Sequence, residues 1–249
     1  MESTASRVVA VVAILLGVLL VAAPVFVDPL FATETLETLT PEGLDEVVRI
    51  DARNVNGAVR ISRGPRVVGS AMLDVYARFA LRAPTPVVEV EDGVLTLRDG
   101  CPEGFIGSCQ VDFLVLTPAD AEVEVTTTNG EVRVGGGTAP VTVRTVNGDV
   151  GVSPAGVAVV DVEMVNGSFE GRWDTDAGPT RVETVNGGIT LRLPGGPYDV
   201  AARTTNGPVD VQVPTDPSGP RLELTTTNGP ITAVTVAPVR GGDPDAAGG

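Results

Sequence analysis

Few residues in this chain can do chemistry, and their types narrow the field early. The 249 residues include no His, so the commonest general base and metal ligand is missing. Two cysteines, Cys101 and Cys109, lie in DGCPEGFIGSC. A metal site needs more ligands than two thiols, and no imidazole can complete one. In an oxidising compartment the glycine-bearing gap between them is flexible enough to close, so a disulfide stapling a loop is expected. All 17 basic residues are Arg, set against 32 acids for a net charge of −15. Nucleic-acid binding needs a basic face, and this balance argues against it. A lysine-free acidic surface fits solubility in high salt, and it equally fits GC-rich coding. Four charged residues, Arg144, Glu163, Glu183 and Arg203, share one position of a sequence repeat, flanked by Thr126 and Thr225.

That repeat is the element that must position them. Asn-Gly recurs at Asn56-Gly57, Asn129-Gly130, Asn147-Gly148, Asn166-Gly167, Asn186-Gly187, Asn206-Gly207 and Asn228-Gly229. The last six copies are 18, 19, 20, 20 and 22 residues apart and read as apolar-x-apolar-x-Thr-(Val/Thr)-Asn-Gly-x-apolar-x-apolar. Period-two alternation on both sides of each pair is a strand signature. Breaker clusters such as GGGTAP, DTDAGP and PTDPSGP separate the copies. A unit of about 20 residues cannot bury its own apolar face, so the units must stack.

Asn-Gly between alternating strands also signals a hairpin, which would give an antiparallel meander. A meander has no need for the Thr that stands two residues before most of the asparagines. A solenoid does, because it places Asn on Asn at about 4.8 Å, where amides hydrogen-bond along the row. The expected fold is therefore all-β, a stacked, β-helix-like solenoid of about 20-residue rungs. In it Arg144–Glu163 and Glu183–Arg203 become neighbouring opposite charges. Glu163–Glu183 becomes a like pair needing a nearby Arg or a cation. A surface ladder is the plain reading, worth about 0–1 kcal/mol per pair; a Ca²⁺ or carboxylate-pair site is the alternative.

The stretch VDFLVLTPADAEVEVTTTNGEVRV, followed by TVNGDV and TVNGGI, resembles the β-strand-repeat family of unknown function called putative adhesins. Val111 to Thr117, Pro118 and the six copies match its order, and VEVEDGVLTLRDG resembles the segment that precedes them. The resemblance spans roughly 48–236 and implies an all-β solenoid at a cell surface. It implies no established chemistry and carries over no functional residue.

Upstream, Val8 to Val27 is a run of 20 uncharged residues, about 30 Å as a helix and enough to cross a bilayer. Arg7 precedes it and six acids follow before Arg49, so the positive-inside rule places the C-terminal part outside. The expectation is one N-terminal transmembrane helix; the rival is a cleaved signal peptide and secretion. The divisions read as a cytoplasmic stub (1–7), an anchor (8–27), a spacer (28–47), irregular rungs with the disulfide loop (48–120), regular rungs (121–236) and a disordered tail (237–249). The 71–81 segment reads as a strand within a cap that protects the terminal rung.

The other candidates have structural readings. Asn166-Gly167-Ser168 is an N-glycosylation sequon as well as a turn. Gly135-Gly136-Gly137 lacks the Lys and helix of a phosphate loop. Trp173 and Phe169 are expected to fill the core of a copy lacking its second Val; a small exposed ligand patch is the alternative. No catalytic residue, cofactor or metal is assigned. The expected protein is a non-catalytic, membrane-anchored surface module binding an envelope glycan or a surface protein. A carbohydrate-active parallel β-helix enzyme is the alternative, by architecture alone.

Overall fold

A computed structural model of the chain describes residues 32–65, 67, 71–102 and 108–236. The expected stub, anchor and tail lie outside the described residues. Among these residues the secondary structure is entirely β, with no helix. The strands are β1 (Ala32–Leu39), β2 (Arg49–Asn56), β3 (Val59–Arg63), β4 (Met72–Ala80), β5 (Val87–Glu91), β6 (Val94–Arg98) and β7 (Cys109–Thr117). The regular copies follow as pairs: β8 (Glu122–Asn129) with β9 (Val132–Gly136), β10 (Val141–Asn147) with β11 (Val150–Ser153), and β12 (Val160–Asn166) with β13 (Phe169–Arg172). The last are β14 (Thr180–Asn186) with β15 (Ile189–Leu193), β16 (Asp199–Asn206) with β17 (Val209–Gln212), and β18 (Arg221–Asn228) with β19 (Ile231–Thr235).

Each Asn-Gly is a corner. The strand before it joins a nine-stranded sheet and the strand after it joins a ten-stranded sheet, so one copy is one rung of a two-sheet stack. Neighbouring copies pair in parallel with equivalent residues in register, as in Val141↔Val160 and Val150↔Phe169. This is the solenoid-like arrangement, and the antiparallel meander is excluded. Alternation puts Val123, Val125, Val132 and Val134 between the sheets, where they are 0–2% exposed, as are their equivalents in every rung but that of β16 and β17.

Three features depart from the expected layout. The Asn56 copy is a regular rung, because β2 pairs with β8 and β3 with β9 in the same register as later copies. Residues 32–39, expected within a spacer, form β1, the edge strand of the ten-stranded sheet, antiparallel to β4. Finally, rung order is not chain order. β18 lies between β14 and β16, and β19 between β15 and β17, so the seventh copy is inserted between the fifth and the sixth. Seven rungs make six intervals, about 29 Å of stack.

At the N-terminal end β4 runs antiparallel to β7, and β5 to β6, which closes the core there. Cys101 and Cys109 are bonded, tying the segment after β6 to the start of β7. In the rung of β12 and β13, Gly171 stands where neighbouring copies carry Val152 and Leu191. A Cβ on Gly171 would meet Trp173 at 2.5 Å and Phe169 at 2.9 Å. The missing side chain is thus the space that Trp173 (0% exposed) and Phe169 (1%) occupy.

Candidate functional site: two ladders and an arginine-walled trough

The corner asparagines form one unbroken file. Asn129 Nδ2 donates to Asn56 Oδ1 at 2.9 Å, Asn147 to Asn129 at 2.8 Å and Asn166 to Asn147 at 2.8 Å. The file continues through Asn186 to Asn166 at 2.8 Å, Asn228 to Asn186 at 2.7 Å and Asn206 to Asn228 at 2.8 Å. Every amide points the same way, so the dipoles add. The glycines that follow are packed just as closely. A Cβ on Gly148 would stand 2.0 Å from the carbonyl oxygen of Gly130, and one on Gly187 would stand 1.8 Å from that of Gly167. Two residues before Asn, the Thr226 and Thr204 hydroxyls donate to the carbonyls of Gly187 and Gly229 at 3.0 and 3.1 Å. Met164 replaces Thr in this buried row. The side-chain amide of the sequon residue Asn166 both donates and accepts within the file.

The charged column lies on the outer face of the nine-stranded sheet. Arg144 Nε is 3.4 Å from Glu163, as the spacing predicts. The like pair Glu163–Glu183 is bridged by Arg181, at 3.5 Å and 2.6 Å respectively. That Arg sits two residues before Glu183 and was visible in the sequence, yet it was not picked out. The expected Glu183–Arg203 neighbour pair does not form. Both residues face Thr225, because β18 lies between their strands. Among the described residues Arg203 has no ion-pair partner, and no cluster of three or more His, Cys, Asp or Glu side chains is placed to hold a metal.

On the opposite face, sequence reasoning missed a trough. Outward positions of the ten-stranded sheet run Arg60–Arg133–Gly151–Glu170 in one row and Ser62–Gly135–Ser153–Arg172 in the next. The small residues leave a depression of about 430 Å³, whose charged walls are Arg60, Arg133, Arg172 and Glu170. A Cβ on Gly151 would meet Arg133 Nη1 at 2.8 Å, so this glycine lets the guanidinium lie across the floor. Arg60 and Arg133 share one carboxylate, Glu131, at 2.8 and 2.6 Å. Partial burial tends to raise the Glu131 pKa, but hydrogen bonds from Arg133 and Arg60 outweigh it and hold the group below the ordinary carboxylate value. Two cations facing one acid leave positive charge uncompensated. Arg172 engages Asp174 through Nε at 3.1 Å, and Arg192 pairs with Glu170. Arginine forks of this kind suit planar carboxylates.

A third cluster is structural. The Arg63 side chain is fully buried (0% exposed) and its Nη1 lies 2.7 Å from Asp120, while Nη2 donates to the Ala139 carbonyl at 2.7 Å. Burial pulls the Arg63 pKa down from its usual value against the opposing pull of Asp120. For Asp120, burial acts to raise the pKa, but hydrogen bonds from the Thr138 hydroxyl and the Ala139 and Thr138 amides, together with Arg63, bring it below normal.

Fold and faces together define an all-β repeat-stack domain whose polar side chains are displayed on two broad sheets. The chain belongs to the Toastrack DUF4097 family, whose profile matches residues 108–235. Among solved structures it is similar to a "putative cell adhesion protein" from Clostridium sporogenes, with 11% identity and a TM-score of 0.46, covering 82% of this chain and 100% of that one. It is also similar to a "putative adhesin" from Bacteroides fragilis (15%, TM-score 0.39, 82% and 97% covered). A third is a "putative lipid binding protein" from Parabacteroides distasonis (11%, TM-score 0.29, 81% and 97% covered). No curated protein matches the chain.

Proposed function

We propose that this chain is a non-catalytic, membrane-anchored surface module that binds carboxylate-bearing envelope glycans along the outer face of its ten-stranded sheet. The observation that carries the reading is the trough lined by Arg60, Arg133 and Arg172 together with Glu170, in which two guanidinium groups, Arg60 and Arg133, share the single carboxylate of Glu131. The uncharged run Val8 to Val27 supports the anchoring. Ion pairs and side-chain amides hold both faces in place, so a ligand meets guanidinium groups already set. The acidic remainder repels a polyanion at long range, and salt reduces that repulsion beyond about 8 Å at physiological strength.

The test is retention of the full chain, in detergent, on immobilised polygalacturonate against neutral dextran. Selective retention on polygalacturonate is expected, with loss in the Arg133→Ala/Arg172→Ala double variant at unchanged melting temperature. Equal retention of that variant, or equal binding to both polymers, refutes the site. Surface protease treatment of intact cells tests the anchoring separately: digestion of the domain from outside is expected, and protection counts against it.

A further inference from the structure

Two non-glycine residues among the described ones have a positive φ, Leu81 (+70°) and Asp92 (+49°). Asp92 has a local reason. It precedes Gly93 in the tight connection between β5 and β6, where an Asp-Gly pair takes that backbone readily. Leu81 has none. It follows β4 directly, and the Arg82 amide donates to the Ala80 carbonyl at 2.9 Å, closing a three-residue turn around it. Such a turn with its central φ near +75° is rare and strained. The turn also holds an apolar side chain in solvent, since Leu81 is 65% exposed. A strained backbone that presents a leucine to the outside points to a contact made there.

The register fixes where this turn stands. β7 begins at Cys109, four residues ahead of Phe113, which pairs with Val59 at the start of β3. β4 and β1 follow it, with Phe79 opposite Cys109 and Ala80 opposite Ala32. Three strands thus extend about 13 Å ahead of β3, on the Asn-Gly side of the stack. Leu81 stands at the end of that extension, next to the Ala32–Ala80 pair.

The chain leading into Ala32 says what lies beside it. The uncharged run ends at Val27, and Asp28, Pro29, Leu30 and Phe31 come between. Five steps of at most about 3.6 Å span no more than about 18 Å. The headgroup layer outside the hydrocarbon core takes up about 5–7 Å of that. With Val27 at the core boundary, Ala32 and the Leu81 turn beside it are held within reach of the headgroups. Arg82 is exposed next to Leu81, and its guanidinium suits a lipid phosphate. The same side of the stack carries an exposed apolar row. Val55, Val146, Val165 and Val185, each one residue before a corner asparagine, are 41–49% exposed.

We propose that the Leu81 turn is a second membrane contact, in which Leu81 enters the phospholipid interface beside the anchor and Arg82 meets a phosphate group. The stack is thereby laid with its Asn-Gly side toward the bilayer. This inference rests on the anchoring proposed above. Both broad sheets then stand clear of the lipid, and the arginine trough stays open to its ligand.

The test uses the full chain in phosphatidylcholine vesicles that carry a spin label on the choline headgroup. A bimane on Ala83→Cys reports on the turn without touching Leu81. One on Ser218→Cys, exposed near the opposite end of the stack, is the reference. Quenching about threefold stronger at position 83 than at position 218 is expected. Leu81→Asp should bring position 83 down to the reference level. Leu81→Gly should do the same with a melting temperature no lower than that of the unsubstituted chain, because glycine accepts the positive φ. Equal quenching at the two positions overturns the seating. So does quenching at position 83 that Leu81→Asp leaves unchanged, since the tether alone then explains it. A bimane blue shift without quenching assigns the turn to protein, from this chain or a second copy, and overturns it as well. Alkaline carbonate extraction separates the two readings. Release of the chain refutes the anchor and the seating with it, whereas retention without quenching at position 83 refutes the seating alone.

Discussion

The corner asparagine works through its neighbours, so its position in the file sets its worth. Asn147 makes two amide–amide bonds and Asn206 makes one. Asn147→Ala should therefore cost about 1–3 kcal/mol and Asn206→Ala about half that, because each lost bond also leaves a partner unsatisfied. Chemical denaturation of the two variants checks the order, and equal losses would contradict a cooperative file. Gly148→Ala should be worse, about 3 kcal/mol or more, because its methyl meets a backbone carbonyl that cannot move without shifting a rung. Acid sensitivity belongs to this scale as well. Asp120 and Glu131 both titrate below the normal carboxylate value when folded. The stability they supply is present above the unfolded value, about 4, and is lost as pH falls through the lower folded values. Asp120→Asn should flatten that acid limb in pH-dependent melting, and an unchanged limb would remove Asp120 from it.

Among the elements, the rungs were legible because each copy repeats its pattern of inward residues, and like positions do stack. The order of the last two rungs was not. Copies reading VAARTTNG and LELTTTNG share the alternation and the Asn-Gly corner, although one turns Val200 and Ala202 inward and the other the larger Leu222 and Leu224, so the pattern alone lets either sit beside β14. The Arg203 misplacement follows directly from that shared pattern. β1 was illegible for another reason. ATETLETL is exposed along most of its length, so burial imposes no apolar alternation, and only pairing with β4 makes it a strand. The trough escaped because its floor is defined by missing side chains, Gly135 and Gly151, which read as punctuation in a sequence. The same logic of absence explains Trp173, which fills space that Gly171 leaves. Trp173→Ala should cost about 3–5 kcal/mol, and Gly171→Val should not rescue it if β13 has been shaped around the indole. Thermal unfolding of the single and double variants measures this, and rescue would mean the copy is an ordinary rung with a spare aromatic.

For the whole molecule, acids outnumber bases to a net charge of −15, and most arginines among the described residues are already in ion pairs. The excess carboxylates repel one another, and salt shortens that repulsion from about 10 Å at 0.1 M to about 3 Å at 1 M. The melting temperature should rise over that range, by several degrees if the repulsion is worth about 1 kcal/mol. A fall would mean that the surface ion pairs outweigh the excess charge. The architecture was readable at this scale because no single copy can bury its own apolar side, whatever its local details.

The late insertion of β18 and β19 bears on how the body answers tension. The last described strand is gripped on both sides, by β15 and β17. A pull on the C-terminal side must therefore slide β19 past two partners at once, loading every backbone bond of both seams together. β1, held on one side only, detaches first. If the chain is held at its N-terminal side, as proposed, a tug from the far end thus yields at β1, while the Asn-Gly stack stays whole.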